Sequence, residues 1–293
     1  MKDAYSPLFL AASGGDLETI KELSATATQE DLNRSLAQAA ALNHFEAADH
    51  LIMSGAQADG DYDPLYGTVL FPACEYMNPE GIAWLLERGA DPAREVLRID
   101  GPRNALEHLL SSHHRSPLKG RCIQLLIKGG APDPQDLPMA IHRGSLSQVQ
   151  ELLDKNPEAL QQTLELPYGH YPLTGASLLH MAVEFNQGDI VKELLSRGMD
   201  VNQRAEMIPG TVNTTPIWPT DLVALGGQTP LFHAKGDSKE MLKLLLKHGA
   251  NPALDATFLR DGKEIPLTAL EFFEEIDQIE CNLLEEILTL KTL

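Results

Sequence analysis

Cysteine is scarce in this chain of 293 residues, and its three positions, Cys74, Cys122 and Cys281, are odd in number and far apart. That excludes a disulfide framework and fits free buried thiols in a reducing compartment, so the expected location is cytoplasmic. Bases are scarce as well, with 23 Lys and Arg against 42 Asp and Glu for a net charge of −19. Phosphate backbones are held by cations that displace counterions, so this balance excludes a nucleic-acid partner and favours a protein with a basic or neutral surface. Apolar runs are short, and none approaches the ~20 residues of a membrane span. The stretch from Tyr5 to Ala12 follows Asp3 and carries a helix grammar, so it reads as folded structure and not as a signal peptide. No membrane contact is expected. Also missing are a Gly-Xaa-Ser-Xaa-Gly elbow, a phosphate-binding Gly-Xaa4-Gly-Lys loop, a His-Glu-Xaa-Xaa-His zinc helix and a dinucleotide fingerprint. Nothing supplies a nucleophile, a base and an orienting partner together, so neither an enzyme nor a cofactor is expected.

What the chain does have is 43% hydrophobic residues, enough for a sizeable core, arranged with a recurring period. A Leu standing three residues before a small or apolar position recurs at Leu8, Leu36, Leu70, Leu106, Leu137, Leu179, Leu231 and Leu270. Each anchor is followed by a short helix pattern, a tight turn and a second amphipathic pattern, which closes in the clearest copies on a Leu pair such as Leu85-Leu86, Leu125-Leu126 or Leu152-Leu153. Gly55, Gly89, Gly129, Gly198 and Gly249 sit where the chain must leave the second helix through a left-handed residue. Ala11, Ala39, Ala73, Ala140, Ala182 and Ala234 follow the anchors by three residues, where a neighbouring hairpin approaches closely. One helix hairpin cannot bury that face, but a stack can.

Ser6-Pro7-Leu8-Phe9, Ser177-Leu178-Leu179-His180 and Thr229-Pro230-Leu231-Phe232 are variants of a Thr-Pro-Leu-His opening, and Arg88-Gly89-Ala90-Asp91, Arg197-Gly198-Met199-Asp200 and His248-Gly249-Ala250-Asn251 form a matching closing turn. In these features the chain resembles the ankyrin repeat family, of the kind found in bacteria. The resemblance implies an all-α solenoid of stacked helix hairpins in one domain over 1–293. Its approximate repeats run over 5–31, 32–64, 65–101, 102–133, 134–174, 175–226, 227–263 and 264–293. It also implies a monomeric, non-catalytic protein-binding module, with His180 as a structural hydrogen-bonding element supporting adjacent turns.

The two longest anchor spacings, 42 and 52 residues, exceed the ~33 residues of such a repeat by the most. The extra chain falls at 156–174 and 203–226, between the second helix of one copy and the first of the next. In ankyrin-like stacks that connection projects as a finger beside the concave face, so the inserts are the expected contact sites. Tyr168, His170 and Tyr171 in the shorter insert, and Ile217, Trp218 and Asp221 in the longer, are the candidate partner-binding residues. Aromatic side chains bury much area at little rotamer cost, and the prolines around them pre-organise the loop. A dedicated inhibitor or immunity protein for one enzyme or toxin, and a host-directed bacterial effector, are variants of the same binding function. A rival of another class is an enzyme site beside the longer insert, built from His170, His233 and Asp221.

Other clusters carry less. Residues 1–65 hold 11 acids and 3 bases, and residues 254–293 hold 10 acids and 3 bases, which suits solvated faces on terminal repeats. Asp59, Asp61 and Asp63 open like a calcium loop, but Pro64 and Leu70 stand where Gly and a bidentate carboxylate are needed. His108, His113 and His114 lack a second ligand pair at zinc spacing, so no metal is expected.

Overall fold

The structure is a computed structural model that describes residues 5–63, 67–98, 101–112, 116–166, 173–206, 221–234 and 239–276. It has two compact units, Met1–Pro134 and Gln135–Leu293.

The first unit contains the pairs α1 (Pro7–Gly14) with α2 (Leu17–Ser24), and α3 (Gln29–Ala41) with α4 (Phe45–Met53). After the strands β1 (Asp61–Asp63) and β2 (Gly67–Thr68) come α5 (Phe71–Glu75) and α6 (Pro79–Glu87). After β3 (Val96–Arg98) and β4 (Gly101–Arg103) come α7 (Ala105–Ser111) and α8 (Lys119–Lys128). Short polar residues start these helices by satisfying backbone donors that lack an intrahelical acceptor. The Ser6 hydroxyl accepts from Phe9 N–H at 3.2 Å with Pro7 in the first turn, and the Thr28 hydroxyl accepts from Asp31 N–H at 3.2 Å. First helices stack on one another, α1 on α3, α3 on α5 and α5 on α7, while α2 packs on α4 and α6 on α8. Ala11, Ala39 and Ala73 are buried beside the anchors Leu8, Leu36 and Leu70, as close helix approach requires.

The turn after α8 departs from the sequence reading. Gly129 is right-handed at φ −75°, and the left-handed residue is its neighbour Gly130 at φ 119°. The helix runs to Lys128 and Gly129 is its cap, which moves the conformational reversal one residue on.

The second unit contains α9 (Leu137–His142) and α10 (Leu146–Lys155), a 3₁₀ turn (Pro157–Gln161), then β5 (Thr163–Leu166) and β6 (Leu173–Ser177). Next come α11 (Leu178–Glu184), α12 (Gly188–Ser196), β7 (Val223–Gly226), a second 3₁₀ turn (Pro230–His233) and α13 (Lys239–Lys247). It ends with β8 (Asp255–Arg260), β9 (Lys263–Thr268) and α14 (Ala269–Ile276). Here α11 packs on α9 and on the second 3₁₀ turn, and α12 packs on α10 and α13. Leu179, Leu194, Phe232, Phe258 and Phe272 belong to one buried cluster, in which Phe258 stacks on Phe272 at 5.0 Å between centroids.

The fold is therefore helix-rich and not all-α. Antiparallel hairpins β1–β2, β3–β4 and β5–β6 occupy connections between helix pairs, and β7, β8 and β9 form a three-stranded sheet. The turn joining β8 to β9 explains the sheet: Asp261 and Gly262 both have positive φ, 50° and 72°, the geometry that matches the twist of two paired strands. Leu231 also starts less helix than its repeat position suggests, since Pro230–His233 is only a 3₁₀ turn.

Candidate interaction site

Of the six sequence-selected residues, Tyr168, His170, Tyr171, Ile217 and Trp218 lie outside the described residues. Asp221 is described. It is exposed where the longer insert returns, and its carboxylate pairs with Arg260 at 3.3 Å. Arg260 also contacts Glu275 of α14, so this end of the insert is tied to two later elements of the unit.

The roots of both inserts are well defined and joined. In the shorter one, Thr163 faces Ser177 and Leu164 faces Ala176 across the β5–β6 hairpin, while Leu160 is buried beneath it. In the longer one, Glu206 N–H donates to Thr174 O at 2.9 Å, making a bridge from the outgoing root to β6. This approach depends on Gly175, which sits at φ 62° and whose hypothetical Cβ would lie 2.3 Å from Glu206 Cγ. The outgoing and returning ends then close on each other: Ala205 N–H donates to Gln228 O at 2.8 Å, and Gly227 N–H donates to Ala205 O at 3.1 Å. Beyond that point β7 pairs with β8.

Beneath this junction lies a buried polar cluster. Ser177, His180, Glu184, Gln228, Thr229 and His233 are all buried, the most exposed at 1%. His180 Nδ1 accepts from Ser177 N–H at 3.0 Å, and its Nε2 donates to Gln228 O at 3.0 Å. Those partners assign the tautomer, because an amide N–H only donates and a carbonyl only accepts. Burial, the neighbouring His233 ring and the Gln228 hydrogen bond together leave His180 with its pKa pulled down to about 3, the bond acting against the first two. His233 Nδ1 lies 2.9 Å from Glu184 Oε2, and its ring meets that of His180 edge-on at 5.7 Å between centroids. This cluster organises backbone and offers no exposed reactive group.

The catalytic rival finds little support in this arrangement. His233 is enclosed against Glu184, Asp221 is exposed against Arg260, and His170 lies outside the described residues. The calcium-like aspartates have structural partners: Asp59 accepts from Asp91 N–H at 3.0 Å, and Asp61 pairs with Arg94 at 2.6 Å. His108 stacks on Phe71 at 4.4 Å and pairs with Glu75 at 3.1 Å. Cys74 and Cys122 are free and buried, and burial pushes both thiols up, that of Cys122 to about 12, which makes them poor nucleophiles. Among the described residues no group of three His, Cys, Asp or Glu is placed to hold a metal ion, and no helix is long and apolar enough to cross a membrane.

Helix pairs punctuated by left-handed glycines and joined through hairpins are a recognisable assembly, and residues 137–256 match the ankyrin repeat family in three copies. Within residues 137–256 the chain is similar to ankyrin repeats. The matched range spans α9–α10, α11–α12 and the Pro230–His233 turn with α13, so it includes both inserts and the buried cluster. Among solved structures, the human ASB11 ankyrin repeat domain is similar at 22% identity, with 98% of each chain covered and a TM-score of 0.36. No curated protein matches the chain. Ankyrin repeats are in general protein-protein interaction modules. In this one, His180 spans from the first helix of its own repeat to the approach of the next, as its place in the repeat opening implies. Sequence reading did not find the Glu184–His233 pair, whose members are 49 residues apart. The available signal was a carboxylate at the end of a helix, Leu178–Glu184, that is apolar apart from His180.

Proposed function

We propose that this protein binds another protein through its inserts and inner helices and performs no chemistry of its own. The observation that carries the reading is the joined base of the two inserts, where the Thr174–Glu206 bridge and the Ala205–Gln228 pairing bring both departures to one rigid place. A loop held at its base loses less entropy on association than a free one, which makes Tyr168, His170, Tyr171, Ile217, Trp218 and Asp221 effective anchors. The net charge of −19 favours a basic contact surface on the partner, and raised salt weakens the encounter. The protein acts as a monomer in the cytoplasm.

The test is capture from a lysate of the native cell by the full chain and by a variant carrying Tyr168→Ala, Tyr171→Ala and Trp218→Ala. The expected result is loss of specifically retained proteins by the variant, with helical content and melting unchanged. Equal retention by the two chains overturns the role of the inserts.

A further inference from the structure

The three-stranded sheet of the second unit ends in a long strand that is paired on one side only. Its order is β7-β8-β9, so β9 is an edge among the described residues, and β8 and β9 pair in unbroken register from Asp255↔Thr268 to Arg260↔Lys263. These are the longest strands among the described residues. An edge of that length offers a row of backbone groups on which a second copy of the chain can lay its own β9.

The register fixes which backbone groups face outward. The two-residue turn Asp261-Gly262 makes Arg260 and Lys263 a hydrogen-bonded pair, and pairs of that kind alternate along an antiparallel ladder. Phe258 with Ile265 and Ala256 with Leu267 therefore exchange bonds, whereas Glu264, Pro266 and Thr268 turn their backbone groups to the open side. Pro266, the middle one of these, has no N–H. The Thr268 N–H already donates to the Glu271 carboxylate at 2.8 Å, in the cap that starts α14. Glu264 N–H is left as the outward donor, beside the exposed charges of Lys263 and of Glu264 itself. A proline at the Ile265 or Leu267 position would remove a bond to β8, but at Pro266 it removes only a bond that an incoming strand would need.

We infer that Pro266 is a guard that closes the β9 edge to pairing with a second copy of the chain. When two β9 strands meet antiparallel about a twofold axis at Pro266, each copy must donate from that position to the other's carbonyl there, and from Thr268 to the other's Glu264. The first donor does not exist and the second is committed to Glu271, so the outward row keeps its carbonyls while lacking the donors that a ladder needs. The guard concerns self-pairing at β9 and does not rest on what the inserts bind, so either reading can fail without the other.

Sedimentation equilibrium of the full chain over a range of concentrations, with amide exchange on the same samples, tests the guard. Pro266→Val supplies an outward donor from each copy and should self-associate about tenfold more tightly than the unaltered chain, with exchange at Glu264 slowed as the second strand covers it. Adding Glu264→Pro to that variant keeps the valine but takes a donor from the same row, so association should return to the level of the unaltered chain. Pro266→Val that associates no more tightly than the unaltered chain overturns the guard. So does a double variant as tight as Pro266→Val, since the valine side chain and not the N–H would then be the cause. Should Pro266→Val not fold, exchange in the unaltered chain decides. A Glu264 amide as slow as those of Ile265 and Leu267 means that the edge is already covered and overturns the proposal, and a fast Glu264 amide beside those two slow ones supports it.

Discussion

The two units use the same helix position differently. Two residues past each anchor, the first unit places Leu10, 57% exposed, and then Gln38, Pro72 and His108, none of them buried. At the same position the second unit places Met139, Met181, His233 and Phe272, none more than 2% exposed. At this position the first helix of each pair is therefore incompletely covered in the first unit and fully covered in the second. Buried polar groups differ in kind. In the first unit, Asn104 caps a helix, Asn33 holds the neighbouring Gln57 and Asp61 backbone, and Ser24 meets the side chains of Ser54 and His50. In the second, titratable side chains meet, with His180, His233 and Glu184 in one cluster beneath the insert roots. A shared repeat grammar thus leaves this helix position partly open in one unit and covered beside the insert roots in the other.

The strongest way to break that comparison is to damage one core and read both units. Phe272 is 1% exposed and lies 5.0 Å from the Phe258 ring and 5.5 Å from that of Phe232. Phe272→Ala should cost roughly 3–5 kcal/mol through lost burial and the remaining cavity. Hydrogen exchange resolved by peptide should show the loss in α11, β8 and α14, with α1 to α4 retaining their protection. Equal loss in both units would mean that they unfold as one cooperative body.

Acid should separate the units next. The unfolded His180 ring takes up a proton near 6.5, whereas the folded ring resists down to about 3. Unfolding therefore absorbs a proton between those values, so stability is complete above pH 6.5 and declines as pH falls. Between pH 7.5 and pH 5 the second unit should lose about 2 kcal/mol from this ring alone. Among the described residues of the first unit no histidine is enclosed as His180 is. Denaturant melts followed by exchange at the two pH values measure the difference, and an equal decline in both units would assign it elsewhere.

How much of this could be read from the sequence depended on whether the cause was local. Leu8, Leu36, Leu106, Leu137 and Leu179 lie in helices because the 3.6-residue period is written within each segment. The caps Ser6, Thr28, Asn104, Asp136 and Ser177 are likewise local, each bonded three residues ahead. The β8–β9 hairpin was also legible, since Asp261-Gly262 is a strong two-residue turn signal, but a helical repeat frame laid over 227–263 hides it. Not legible were contacts across repeats. His180 reaches Gln228 over 48 residues and Glu184 reaches His233 over 49, distances at which only the assembled stack sets the pairing. The candidate site divides the same way: insert positions follow from anchor spacing, but the bridge uniting their roots does not.

The smallest expected effect tests whether the buried helix cap of α7 in the first unit acts locally. Asn104 is 4% exposed, its side-chain oxygen accepts from Glu107 N–H at 3.0 Å, and Glu107 returns the bond by accepting from Asn104 N–H at 2.9 Å. Removing the amide leaves one donor at the start of α7 without an acceptor, and the reciprocal bond survives only as far as the backbone holds its place. Asn104→Ala should therefore cost about 1 kcal/mol, within the range of helix caps generally, and Asn104→Asp should restore most of it by supplying the same acceptor. The deficit should appear as faster exchange in the first turn of α7 and should leave β7 and the His180 cluster unaffected. Because the Asn104 amide does not titrate, a deficit that spread beyond α7 into α3 or α5 would show that this buried polar group is coupled to distant neighbours, as His180 is. The local character of the first unit would then be lost, and with it the contrast between the two units.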